Sequence, residues 1–376
     1  MDKIIVISDS FKGSLSSKDI VDVFTSFLSD HHINMEMVSF PIADGGEGTV
    51  EAFANVLEGE LVETTAHDSY MNKIKASYFV TKDNEAIIEM ASCAGLTQVS
   101  DNKNPSKTTT FGVGELIKHA IDRGIKTIYL GLGGSSTNDG GCGAASALGI
   151  KFLNQNNESF IPVGGTLKDI NSIKIDNNYL KNTEIRVLSD VNNPMYGPDG
   201  AAFVYAKQKG ADELMIQELD EGLIHLSEVI KKDLKKDVST IPGAGAAGAF
   251  GAGSVAFFNA KIASGIDSLL KICHFEESLE GASFVFTGEG KMDYQTLKGK
   301  AIFGISKVTK RNNIPLIVIA GAISNDITEK DLNELGIKKM YAIGEGYSLE
   351  YSMKNAKTLY YQKLEKVFAD LTEKPL

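Results

Sequence analysis

The chain has 376 residues, 43% of them apolar and 23% charged, a balance that excludes a disordered chain and predicts about two domains. Its 38 basic and 49 acidic residues leave a formal charge of −11, which excludes a general nucleic-acid binder, because phosphate backbones need a basic footprint. Cys93, Cys142 and Cys273 lie far apart with no CxxC pair, and no apolar run approaches the ~18 residues of a membrane span, so a disulfide framework, a cysteine-built zinc site and a membrane partner are all excluded and a cytoplasmic protein is expected.

In chain order, short β-branched runs that end in Gly, Asp or Ser predict strands over Lys3–Ser8, Met35–Phe40, Ala86–Met90, Thr127–Leu130, Glu184–Leu188, Phe284–Thr287, Leu316–Ala320 and Lys339–Ile343. Helical periodicity predicts helices over Ser17–Leu28, Gly114–Arg123, Ala211–Lys231 and Ile302–Lys310, with a last one near Met353–Leu371. Such alternation implies an α/β fold with mostly parallel sheets. The runs near 4, 35, 284, 316 and 339 suit a five-stranded flavodoxin-like layer built from both chain ends, residues 1–70 plus 276–376. A second α/β domain, residues 71–275, is then inserted into the first, with a cleft between them as the expected ligand site.

The strand ends carry the chemistry. Asp9-Ser10-Phe11-Lys12-Gly13-Ser14 places a carboxylate, a lysine and a glycine after the first strand, and the following helix N-terminus is a candidate anion site. Asp44-Gly45-Gly46-Glu47-Gly48 pairs two acids with glycines that let backbone approach a ligand, which suits magnesium beside phosphate. Thr108–Glu115 offers hydroxyls and glycine at a helix start. Gly131–Gly143, after the run Thr127–Leu130, offers consecutive N–H groups, hydroxyls, an amide and a carboxylate, the makings of a phosphate cradle. Asp190 stands at a strand's carboxyl end, a good position for a general base. Thr287-Gly288-Glu289-Gly290-Lys291-Met292-Asp293 again joins glycine, acid and lysine where a strand ends. Gly243–Gly248 formally matches GxGxxG, but Lys235-Lys236-Asp237 and Pro242 precede it instead of a strand, so the dinucleotide fingerprint is rejected. Walker A, HExxH and GxSxG patterns are absent. Only Arg123, Arg186 and Arg311 are arginines, so an anion must be held by lysine, backbone N–H groups or a metal.

Taken together, these loops resemble the bacterial glycerate kinases of the type I family. The resemblance runs the length of the chain and rests on DSFKGS at 9–14, PIADGGEGT at 41–49, EMASCAGL at 89–96, TTTFGVGELI at 108–117, GLGGSSTNDGG at 131–141, SDVNNPMYGPDGA at 189–201, KQKGA at 207–211, PGAGAAGAFG at 242–251 and TGEGKMDYQTLKGK at 287–300. Departures are small: Ser136 stands where the family often has Ala, and none removes an acid, a glycine of the phosphate loop or a basic residue. The resemblance implies ATP- and Mg2+-dependent phosphorylation of D-glycerate, with the 2-phospho product, by two α/β domains. Given that chemistry, Asp190, Lys12 and Asp293 are the expected catalytic residues. Ser10, Lys12, Asp44, Gly45, Gly46 and Asn193 are expected at the substrate. Gly133, Gly134, Ser135, Ser136, Thr137, Asn138, Asp139 and Lys300 are expected at the nucleotide, and Glu289 and Asp293 at the metal, with Asp44 and Glu47 as rivals. A NAD-dependent hydroxy-acid dehydrogenase and a non-catalytic sensor of glycerate or nucleotide are the alternative readings.

Overall fold

The computed structural model describes residues 3–42, 48–55, 57–99, 102–175, 179–180, 182–294, 296 and 301–372. Contacts divide the chain into two units, residues 1–43 with 266–376, and residues 44–265.

The first unit is built on five parallel strands in the spatial order Ile337–Ala342, Leu316–Ala320, Phe284–Thr287, Lys3–Ser8 and Glu36–Pro41. Numbered along the chain this is 2-1-3-4-5, the flavodoxin-like order, with its switch point between Lys3–Ser8 and Phe284–Thr287. The sequences KIIVIS and LIVIA are near-continuous apolar runs because a parallel sheet is covered on both faces. Helices Ser17–Asp30 and Ala356–Thr372 contribute Phe24, Phe27, Leu364 and Phe368 to a core with Ile4, Val6, Phe286 and Ile317.

The second unit holds six strands in the order Lys261–Ala263, Glu184–Leu188, Thr127–Gly131, Glu85–Glu89, Lys73–Thr81 and Gly59–His67. The first four are parallel and the last two form an antiparallel hairpin. Helices Phe111–Asp122, Glu213–Leu234 and Ala246–Phe258 supply much of its core.

The expected boundaries at 70 and 275 differ from this division. Gly59–His67 pairs residue by residue with Lys73–Thr81, which binds it to the second unit and moves the crossing to 43/44. At the other end the crossing falls at 265/266, ahead of helix residues Ile266, Leu269 and Leu270.

Candidate active site

In the first unit the loops after the first and third strands meet at the switch point, where open α/β sheets bind ligands. Asp9 N–H donates to the Gly288 carbonyl at 2.9 Å. Phe11 and Leu15 bury their side chains and close the loop between them through Phe11 N–H to the Leu15 carbonyl at 2.8 Å. Lys12 is thereby left exposed at the tip, beside Gly13 at φ +78. Ser10 is half-buried, with its N–H 2.7 Å from Asp9 Oδ1. Gly290 lies under this tip: a Cβ there would sit 3.5 Å from Lys12 N. On the same loop the Thr296 hydroxyl donates to Glu289 and accepts Asp293 N–H at 3.1 Å, so one side chain ties together the two acids expected at a metal.

The helix that begins at Ser17 is not the anion site expected there. Ser16 and Asp19 form a capping box, with Asp19 N–H to Ser16 Oγ at 3.0 Å and Ser16 N–H to Asp19 Oδ2 at 3.0 Å. The box satisfies N–H groups that an anion would need and places a carboxylate at the helix start.

In the second unit, motifs from distant parts of the chain converge on the segment 131–143. Leu96 N–H bonds the Gly134 carbonyl at 2.7 Å, and Ser136 is pinned to the Ala94 carbonyl by its N–H at 2.9 Å and its hydroxyl at 3.0 Å. Thr108 donates to the Ser136 carbonyl at 3.0 Å. From the other side Gly140 N–H reaches the Gly248 carbonyl at 3.0 Å. Gly248 has φ +67, and a Cβ there would come within 2.2 Å of the Thr137 carbonyl, so only glycine allows this approach. The GxGxxG run is therefore a packing surface against the 131–143 segment, and helix Glu213–Leu234, not a strand, precedes it. Lys209, from the KQKGA segment, is buried beneath the loop and donates to Ser135 Oγ at 2.7 Å and to the Thr137 carbonyl at 2.6 Å.

Only part of this loop faces outward. Gly134 is exposed, Gly133 half-buried and Ser135 8% exposed, whereas Ser136, Thr137, Asn138 and Asp139 are buried. Asp139, expected to face a nucleotide, instead organises the loop. Its carboxylate accepts Thr110 N–H (2.7 Å), the Thr110 hydroxyl (2.8 Å), the Thr109 hydroxyl (3.2 Å), Gly143 N–H (3.1 Å) and Gly141 N–H (3.1 Å). Burial pushes its pKa up, and these five donor bonds pull the other way by stabilising the ionised carboxylate. Asn193, expected at the substrate, is held at both ends of its amide, by the Tyr205 hydroxyl at 2.6 Å and the Asp199 carbonyl at 2.8 Å.

Asp190 is exposed at the end of Glu184–Leu188 and accepts Gly265 N–H on Oδ1 at 2.9 Å, which fixes the carboxylate against the start of helix Gly265–Ile272. Glu89, at the end of its strand, is buried and accepts Val50 N–H and, at 3.3 Å, Gly48 N–H, so it anchors helix Thr49–Ala54. The sequence reading missed both Glu89 and Lys209, although their motifs were among those that carried the resemblance. Asp44, Gly45, Gly46, Glu47 and Lys300 lie outside the described residues. Among the described residues no group of three or more His, Cys, Asp or Glu side chains is arranged to hold a metal ion, and no helix is long and apolar enough to cross a membrane.

A family model described as the glycerate kinase family matches residues 4–372. The chain belongs to the glycerate kinase family. Glycerate kinase from Bacillus cereus is 42% identical over 91% of this chain and 90% of its own length. Glycerate 2-kinase from Escherichia coli is 40% identical over 86% of each chain. Among solved structures, one described as glycerate kinase 2 from Salmonella typhimurium LT2 aligns with a TM-score of 0.84 at 36% identity, covering 99% of this chain and 98% of that one. The α/β fold with parallel sheets is thus that of the glycerate kinase family, and the dehydrogenase alternative has no support.

Proposed function

We propose that the protein transfers the γ-phosphoryl group of ATP to a hydroxyl of D-glycerate in the presence of Mg2+, giving 2-phosphoglycerate, and that it does so in the cytoplasm. The observation that carries this reading is the family match over residues 4–372. Phosphoryl transfer asks mainly for positioning and charge neutralisation, so the roles follow from charge and exposure.

The Lys12 ammonium, exposed at the switch-point tip, would hold glycerate's carboxylate together with nearby hydroxyls such as that of Ser10. Gly133, Gly134 and Ser135, the outward part of their loop, would meet nucleotide phosphates through N–H groups and a hydroxyl. Asp190, oriented by Gly265 N–H, would accept the substrate hydroxyl's proton. Glu289 and Asp293 fit Mg2+, a hard cation that takes one or two carboxylates and keeps water or phosphate oxygens. When bound, that ion supplies neutralisation of charge on the phosphate oxygens.

A coupled assay of ADP release tests the reading. Release that requires both D-glycerate and Mg2+ is expected. ADP release that is indifferent to D-glycerate, or absent with it, overturns the proposal.

A further inference from the structure

Lys209 is 1% exposed, and lysine is almost never fully buried unless it is paired. Among the described residues no carboxylate lies within ion-pair distance of it; the nearby charge that acts on it is Asp139, whose oxygens already serve the Thr109–Thr110 and Gly141–Gly143 donors. The ammonium has three protons and no lone pair. Two protons are used, by Ser135 Oγ and the Thr137 carbonyl, and the third has no acceptor among the described residues.

Hydrogen-bond direction then settles the state of Ser135. While Lys209 holds its proton it only donates, so Ser135 Oγ accepts, and its own proton must point elsewhere. Among the described residues nothing accepts that proton. The next side chains show the same surplus of unmatched polar atoms. Thr137 Oγ1 and both side-chain atoms of Asn138 are buried without a partner. Buried polar atoms are nearly always paired, so unmatched ones on Thr137 and Asn138, in the same segment as the Lys209 contacts and just after the exposed Gly134, mark a place where a ligand completes the bonding.

We propose that Lys209 and Ser135 form an oxyanion-binding element under the Gly133–Gly134 turn, in which Lys209 supplies the counter-charge and fixes the Ser135 hydroxyl as a donor to an anionic oxygen. This rests on the kinase reading for the identity of the anion: a nucleotide phosphate or the substrate carboxylate. Lys209 acts on Ser135 and on the field at the turn, and Ser135 touches the ligand.

The test uses the full chain with Lys209→Met, which keeps the unbranched side chain, Ser135→Ala, and the double variant. Calorimetric titration with ADP, inorganic phosphate and D-glycerate is run separately for each, beside the KM values for ATP and D-glycerate. Both single variants are expected to weaken the same ligand, Lys209→Met by tenfold or more, while the other ligand stays within twofold. The double variant is expected to match Lys209→Met, because charge and hydroxyl act as a unit. Weakened ADP and phosphate assign the element to the nucleotide; weakened D-glycerate assigns it to the substrate. Folded variants that bind every ligand within twofold of the parent overturn the proposal. If Lys209→Met does not fold, unchanged binding by Ser135→Ala alone overturns it. Binding is read without turnover, so a chain that binds ADP through this pair but releases none from ATP with D-glycerate contradicts the kinase reading and not this element.

Discussion

Asp139→Ala removes a carboxylate that ties segments 109–110 and 139–143 together. Three backbone N–H groups, of Thr110, Gly141 and Gly143, lose their acceptor inside the second unit. The Thr110 hydroxyl loses one as well, although it still accepts Ala144 N–H at 3.0 Å. An unsatisfied buried donor costs ~1–3 kcal/mol, and breaking a buried charged network costs ~3–5 kcal/mol once the surroundings relax. The network figure of ~3–5 kcal/mol, and not three donors summed to ~3–9 kcal/mol, is the better guide, since water can enter the space left by the carboxylate. For a unit of 222 residues (44–265), each kcal/mol corresponds to ~2–4 °C, so the unfolding midpoint should fall by roughly 6–20 °C. Asp139→Asn is the control. Its carbonyl can keep the donors that Oδ2 holds, while its amide faces Gly141 N–H, so a smaller loss of ~1–3 kcal/mol is expected. Thermal unfolding followed by circular dichroism reads all three proteins. An Asp139→Ala variant that melts within 2 °C of the parent, a margin below the ~2–4 °C that one kcal/mol moves a unit of this size, would refute the view that this carboxylate builds the loop.

Asp190→Asn keeps an oxygen for Gly265 N–H but cannot take a proton, so kcat should fall by roughly 10²–10⁴ while ADP affinity by calorimetry stays unchanged; undiminished kcat removes Asp190 from the base role. Lys12→Ala, at an exposed tip, should leave the melting temperature unchanged and raise the KM for D-glycerate; an effect confined to ATP reverses that assignment. Burial lowers the Lys209 pKa from 10.5 to about 7. Between those values the unfolded chain keeps a proton that the folded chain has lost, so stability should rise with pH from about 7 to about 10.5. Urea midpoints measured across that window should climb in the parent and climb less in Lys209→Met; parallel curves count against a buried lysine.

The inner strands of the first unit were legible because a doubly covered parallel strand is a near-continuous apolar run, as in KIIVIS and LIVIA. The hairpin Gly59–His67 with Lys73–Thr81 was not. Its outer strand GELVETTAH is largely exposed and its partner begins KIK, so charge and mixed polarity hid the period of two. Glycine clusters located the loops that matter, since glycine is forced where backbones touch, as Gly248 does at Thr137. Which face of such a loop is open depends on segments far away in the chain. Asp139 reads as a free acid until Thr109 and Thr110 arrive thirty and twenty-nine residues earlier in the chain to enclose it. Lys209 reads as one of two surface lysines in KQKGA. Its burial is decided by Ser135 and Thr137, seventy-four and seventy-two residues upstream.

Phosphorus resonance of the product reports directly which bond forms. With ATP, Mg2+ and D-glycerate, the account predicts a new phosphomonoester signal split into a doublet by the single proton on the middle carbon. A triplet would move the transfer to the terminal hydroxyl, and no new phosphomonoester signal at all, under conditions where the protein is folded and binds ADP, would contradict the assignment of this chain as a glycerate-phosphorylating enzyme.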